Sequence, residues 1–273
     1  MQRRDFLRYS SLASTSWLIP QFLHNTALGT LQTVSGKRLI VLQLSGGNDG
    51  LNTVIPYQDD LYHKARPGIG FKPEEVLKTT DYLGLHPIMT DLQSLYDQGE
   101  LTIINSVGYP NPDRSHFRSM DIWHTGSGSH EYWSHGWLGR YLDHQCHPCE
   151  AAHTAIEVDD SLSLALKGKE RSGFAVRDPR KIKKIAETPF LQEAAQTGPS
   201  QENESLQFLY KTLVDTQSSA AYLFEQTKTK KTESNYPATA FGQDLKRIAE
   251  LIVAGTNTQI YYASLSGFDT HVF

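Results

Sequence analysis

The chain has 273 residues, with 26 Lys and Arg against 30 Asp and Glu and a formal net charge of −4. Hydrophobic residues make up 38% and charged residues 21%, which excludes a disordered or membrane-embedded chain and leaves a globular one. The near-neutral balance offers no basic footprint for a nucleic-acid backbone, so no nucleic-acid partner is expected. Only two cysteines, Cys146 and Cys149, exclude a disulfide-built miniature scaffold.

Residues 1–29 read as an export address. A basic start, a modest apolar stretch from Ser11 to Leu28 and small residues at Ala27-Leu28-Gly29 describe a secretory signal. The paired Arg3-Arg4 ahead of Phe6-Leu7 resembles the twin-arginine signal of bacteria, with Gln2 and Arg8 departing mildly from its usual pattern. The alternative, an amphipathic N-terminal helix, has its period spoiled by Pro20 and scattered polar residues. No run approaches the ~18 apolar residues of a membrane span, so no transmembrane anchor is expected. The expectation is an exported protein, periplasmic or extracellular, handled by the twin-arginine machinery, with residues 30–273 forming a single domain.

The apolar run Arg38–Leu44 predicts a buried strand, and the Ser45-Gly46-Gly47-Asn48-Asp49-Gly50 that follows predicts a sharp turn. Pro56 to Gly84 is punctuated by Pro and Gly with little periodicity. Ile88, Leu92 and Leu95 fall at helical spacing behind Pro87, and Gly99 ends that helix. Leu101–Val107 (LTIINSV) predicts a second buried strand, completing a βαβ unit and hence a parallel sheet. A turn-rich Tyr109–Asp113 opens a helix at Arg114 or Ser115. Gly136–Leu142 predicts a short helix and Thr154–Val158 a third strand, whereas Lys167–Thr188 is basic, polar and carries no clear period. Leu206, Leu209 and Leu213 mark a long helix from Glu202 to about Lys228, whose lysine-rich tail to Thr232 is a solvated charge run. Phe241, Leu245, Ile248 and Ile252 mark a strongly amphipathic helix, and Gln259–Leu265 a final strand. The alternation gives an α/β class, with a mostly parallel sheet and helices on both faces. The chain stops two residues after His271, directly behind a strand, and so reads as incomplete at its C-terminal end.

In open α/β sheets ligands bind beyond the carboxyl ends of the strands. Three polar clusters fall there: Gly46 to Gly50, Asp113 to His116, and Asp269 to His271. Asp49 sits in a Gly-rich turn where its carboxylate can reach a divalent cation; the structural alternative is an Asn-Asp-Gly turn bonding its own backbone. No Gly-Lys-Ser/Thr follows, which excludes a phosphate-binding loop, and Ser45 breaks a dinucleotide fingerprint. Ser115 reads either as a helix cap or as a hydroxyl nucleophile placed where the helix dipole favours an incoming anion. Arg114, Arg118 and Arg140 are candidates to clamp such an anion, surface placement being the default. Asp269 and His271 make an O/N pair suited to zinc or a similar metal, although two ligands do not by themselves make a site. Cys146-x-x-Cys149 lacks a second pair and a thioredoxin-like setting, and reads as an inert loop ahead of a redox motif.

The segments LIVLQLSGGNDGLNTVIPY (Leu39–Tyr57), NPDRSHFRSMDIW (Asn111–Trp123), GWLGRYLD (Gly136–Asp143) and Phe241–His271 together resemble the DUF1501 family of exported bacterial proteins. The resemblance implies a relative of the alkaline phosphatase and sulfatase superfamily, an α/β fold with metal ligands on strand-end loops. It maps metal binding onto Asp49, Asp269 and His271, and the hydroxyl nucleophile onto Ser115. It also implies a continuation past GFDTH, with further metal ligands that this chain lacks. The expectation is a divalent-metal (zinc or similar) hydrolase of small phosphate or sulfate esters, with Ser115 attacking and Arg114 or Arg118 holding the anion. The alternatives are a non-catalytic secreted or envelope protein, or an inactive remnant of that fold, and, well behind both, a redox protein using Cys146 and Cys149.

Overall fold

A computed structural model describes residues 37–145, 151–189, 191–193, 204–228 and 231–270. Residues 1–29, expected to be an export signal, and Cys146, Cys149 and His271 lie outside the described residues. In chain order the first elements are β1 (Leu39–Leu44), α1 (Gly50–Thr53), β2 (Val54–Ile55), α2 (Asp60–Ala65), β3 (Leu77–Lys78), β4 (Gly84–Leu85), α3 (Thr90–Asp97), α4 (His116–Thr125) and α5 (Trp137–His144). They are followed by β5 (Ala155–Glu157), β6 (Phe174–Ala175), α6 (Pro179–Ala186), α7 (Glu204–Thr227), α8 (Ala240–Ala254) and β7 (Ile260–Leu265).

β1, β7, β5 and β6 form a four-stranded parallel sheet in that order, with Ile156 of β5 registered against Tyr261 of β7 and Phe174 of β6. Side chains alternate between its faces, and each face has its own cover. On one, Ile156, Val158, Tyr261 and Ala263 pack with Leu223 of α7 and Ile248 and Leu251 of α8. On the other, Ala155, Ile260 and Tyr262 pack with Leu138 and Leu142 of α5 and with Leu166. Helices on both faces of a parallel sheet are the α/β arrangement expected from the sequence. The helix ends follow their residues: Thr239 caps α8 by accepting from the Gly242 amide, and Gly255 closes it at φ +77. Asp178 caps α6 ahead of Pro179, so the unperiodic Lys167–Thr188 resolves into β6 and an eight-residue helix.

Three features differ from expectation. β1, expected as a buried strand, exposes Leu39, Ile40, Leu42 and Leu44, having a neighbour on one side only. Leu101–Val107 forms no strand: Ser106 takes a left-handed φ of +58, through which a ladder cannot run, and Ile104 and Val107 face solvent. The first βαβ unit is therefore not closed, and β1 stands at the edge of the sheet. Conversely, the aperiodic Pro56–Gly84 region holds much of a small antiparallel sheet, β2-β4-β3, around a separate core of Ile55, Tyr57, Tyr62 and Val76. Its strands have two residues each, below the length at which alternation is countable.

The sequence of α5 is explained by what it touches. Gly136 and Gly139 face the turn at 164–168 so closely that a Cβ on Gly139 would stand 2.1 Å from the Lys167 carbonyl. One turn further, the Asp143 carboxylate accepts from the amides of Lys169 (2.7 Å), Glu170 (3.0 Å) and Arg171 (2.7 Å). Glycine, glycine and aspartate in GWLGRYLD thus form one seam against residues 164–171.

Among the described residues no helix is long and apolar enough to cross a membrane.

Candidate functional site

α4 runs along β1 in the opposite direction, and the two share a simple register. Gln43 meets His124 at 2.9 Å, the Ser45 hydroxyl lies 3.9 Å from the Met120 sulfur, and a Cβ on Gly47 would stand 2.9 Å from His116 Cε1. Every second residue from the end of β1 into the turn that follows it meets every fourth helix residue. From Gln43 to Ser45 the chain advances about 6.6 Å as a strand does and four helix residues advance about 6.0 Å, so those two contacts stay in step, and the glycine turn that follows brings residue 47 onto His116. The geometry brings the N-terminus of α4 to the carboxyl end of β1.

The turn after β1 is shaped by Gly46 at φ +96 and Gly47 at φ +83, a conformation that favours glycine. At its start the Ser45 amide donates to the Leu265 carbonyl at 2.8 Å, tying together the ends of β1 and β7. The residues that follow β7 then return over the turn: a Cβ on Gly46 would stand 3.2 Å from Asp269 Cβ. Asp269 Oδ1 in turn lies 3.4 Å from His116 Nε2, both side chains being a little under half exposed. Three chain segments remote in sequence therefore share one rim: Gly46-Gly47, Ser115-His116 and Asp269.

Of the residues singled out from sequence, Asp269 and Ser115 stand on this rim. Ser115 is the N-cap of α4: its Oγ accepts from the Arg118 amide at 3.4 Å, while its own amide donates to Asp113 Oδ1 at 2.8 Å. Asp49 caps α1 by accepting from the Asn52 amide, and its other oxygen pairs with Arg66 Nη1 at 2.6 Å. The Arg66 hydrogen bond holds the Asp49 carboxyl below its ordinary range. Arg114 is exposed and makes no hydrogen bond or ion pair among the described residues. Arg118 is buried, and its guanidinium donates to the carbonyls of Gly128, Ser129 and Glu131 beneath the Tyr132 ring. Arg140 similarly donates to the carbonyls of His135 and Thr125. Both arginines hold the loop after α4. His116, by contrast, had no separate place among the candidates; its only sequence signal was to sit beside Ser115 in NPDRSHF.

Beneath the rim lies a buried polar cluster that sequence patterning could not assemble. Tyr262 Oη donates to Gln43 Oε1 at 2.5 Å, and His124 Nε2 lies 2.9 Å from the same oxygen. Burial holds the His124 imidazole neutral, lowering its pKa, so the Nε2–H tautomer completes the pairing. Burial also raises the Tyr262 phenol. On the neighbouring strand Glu157 is 3% exposed and accepts from the Ser163 amide at 2.6 Å; burial pushes its carboxyl up to about 6.

As a metal site the described residues are incomplete. Asp269 with His116 supplies two donors, Asp49 is engaged by Arg66, and no group of three or more His, Cys, Asp or Glu is placed to hold an ion among the described residues. What the rim offers to an anionic group is a helix N-terminus, a hydroxyl and an imidazole around a glycine turn, the imidazole being paired with the Asp269 carboxylate. No protein-family model, no curated protein and no solved structure matches the chain.

Proposed function

We propose that the chain is an exported relative of the alkaline phosphatase and sulfatase superfamily whose rim at 46–47, 115–116 and 269 takes the charged end of a small phosphate or sulfate ester. One observation carries the reading: the N-terminus of a ten-residue helix and the ends of two adjacent parallel strands meet at one place, with Asp269 and His116 3.4 Å apart. In this reading the ester oxygens face the first turn of α4, with the exposed Arg114 as their cationic partner. The Ser115 hydroxyl attacks phosphorus or sulfur, passing its proton to His116. The alcohol leaves with that proton, and water then frees the serine. Arg118 acts through the loop it holds. Asp49, Asp269 and His271 stay the metal ligands that the resemblance implies, but no step here runs through a metal.

A second reading, a non-catalytic exported protein of the same fold, is favoured by the Arg66–Asp49 pair, which engages the carboxylate that a metal would need. Turnover of aryl phosphate and aryl sulfate, measured with and without added zinc, separates the two. The hydrolase reading expects turnover that Ser115→Ala abolishes while costing only about 1 kcal/mol as a lost cap. No turnover by the parent, or turnover unchanged in Ser115→Ala, refutes it.

A further inference from the structure

Away from the rim, a cavity of about 220 Å³ lies beyond the carboxyl end of β6, where the start of α6, the end of α7 and the middle of α8 meet. Strand ends of this kind are where α/β sheets take ligands. A space below the ~300–1,000 Å³ of pockets for drug-sized ligands suits a smaller molecule. The floor is apolar, with Val176 2% exposed and Leu251 4%. The walls are charged, and their charges fall into two sets. The first is engaged within the protein: Arg177 donates to Asp160 at 2.6 Å and to Asp159 at 3.1 Å, Arg247 donates to Asp244 at 2.7 Å, and Asp178 caps α6. The second is not. Arg180, Lys231 and Glu250 all line the cavity, and among the described residues their side chains make no ion pair or hydrogen bond. Arg247 stands three residues before Glu250, where helix side chains are neighbours, but its bond runs the other way along α8. Opposite charges therefore face one space without closing on each other.

We infer that this cavity binds a small amine carrying two negative charges, with its anionic groups on Arg180 and Lys231 and its ammonium on Glu250. Two cations and one carboxylate are the complement of two negative charges and one positive. A plain dianion meets the Glu250 carboxylate as a like charge, and a plain amine meets two cations, so each is disfavoured. The remaining acids nearby, Asp159, Asp160 and Asp244, are held by Arg177 and Arg247 and leave the unengaged three to the ligand. The guanidinium fork takes a carboxylate or a phosphate equally well, and the apolar floor receives the short carbon chain between the charged ends. Two kinds of molecule share this chemistry. One is an O-phosphorylated amino alcohol, whose phosphate is a dianion above about pH 6; the other is an acidic amino acid. This inference is independent of ester hydrolysis at the rim.

The test is isothermal titration calorimetry of the full chain with two matched pairs of probes, O-phosphoethanolamine against ethyl phosphate and L-aspartate against succinate. The members of each pair differ by the ammonium that Glu250 would meet. At least one amine should bind about ten-fold tighter than its amine-free partner. Preference within the first pair identifies phosphate as the anionic group, and preference within the second identifies two carboxylates. Glu250→Gln should abolish the preference, and Arg180→Ala should weaken the amine by about ten-fold. If either variant loses its circular dichroism, Lys231→Ala, with the same expected weakening, is read in its place. A parent that binds none of the four probes overturns the inference. So does equal affinity for the amines and their amine-free partners, which marks a plain anion site. A preference that survives Glu250→Gln, or binding untouched by Arg180→Ala and Lys231→Ala, places the ligand elsewhere on the molecule and overturns it as well.

Discussion

Gly139→Ala is the sharpest perturbation of the fold, because its sign is the reverse of the usual one. In an open helix interior, alanine in place of glycine stabilises by about 1 kcal/mol through backbone entropy. At Gly139 the new Cβ meets backbone at 2.1 Å where ordinary contact begins at 3.4 Å, so α5 must retreat about 1.3 Å from the 164–168 turn (3.4 − 2.1). Neither partner is a flexible side chain that could swing aside. Such overpacking costs roughly 1–3 kcal/mol. The retreat also stretches the Gly136 amide bond to the Lys167 carbonyl at 2.8 Å and the three amides on Asp143, each bond contributing about 1 kcal/mol. Set against the gain in propensity, the net loss is about 3 kcal/mol, or roughly 6–12 °C in Tm for a domain of this size. Gly50→Ala is the control, since nothing stands within 4 Å of its Cβ and its φ is ordinary. Thermal and urea unfolding followed by far-ultraviolet circular dichroism should show the first variant well below the parent and the second level with it. A Gly139→Ala protein as stable as the parent would refute the close seam.

Three further outcomes are expected. Glu157 holds its proton up to about pH 6 in the folded chain against an ordinary 4.5, so stability should fall as pH rises between those values and then level; Glu157→Gln should remove that slope and gain up to about 2 kcal/mol at pH 7, and parallel urea-unfolding curves would count against it. Gln43→Leu deprives the Tyr262 phenol and the His124 imidazole of their shared acceptor and should cost about 2–4 kcal/mol in urea unfolding; a loss under about 0.5 kcal/mol would show that the donors find other partners. Replacing Arg3 and Arg4 with lysine should leave the precursor in the cytoplasm, because the export receptor reads the guanidinium pair; unchanged secretion on fractionation would exclude the twin-arginine route.

Legibility in the sequence followed length and periodicity. Helices with three or more turn-spaced apolar residues, such as α8 with Phe241, Leu245, Ile248 and Ile252, stood out because tertiary packing demands that stripe. β1 and β7 stood out as apolar runs bounded by glycine. LTIINSV is likewise rich in β-branched residues and formed no strand, since composition does not report the left-handed Ser106 near its end. At the rim, strand-end reasoning pointed to the segments at 46–50, 113–116 and 269–271, and the structure brings Gly46, Gly47, His116 and Asp269 within a few ångströms. It could not tell which side chains in those segments are already occupied. Asp49 meets Arg66 seventeen residues on, and Arg118 turns under a loop whose path is set by carbonyls, which carry no sequence signal.

The pairing of α4 with β1 works like a vernier scale. Two rulings of about 6.6 Å and 6.0 Å coincide at 43/124 and 45/120, with a drift of roughly 0.6 Å between them, and the glycine turn sets the third mark at 47/116. A fourth or fifth mark would place each helix side chain progressively between strand residues, so the useful length of the match is short. α4 stops one residue past the last mark, at Thr125, with Gly126 turning the chain at φ +68. The same commensurability makes the two partners unequal toward insertion. One extra residue between Gln43 and Gly47 would turn part of the strand over and uncouple the marks beyond it, while one extra residue in the loop after Gly126 leaves all three aligned. Length variation among natural or engineered versions of this chain should therefore collect after Gly126 and avoid residues 43–47.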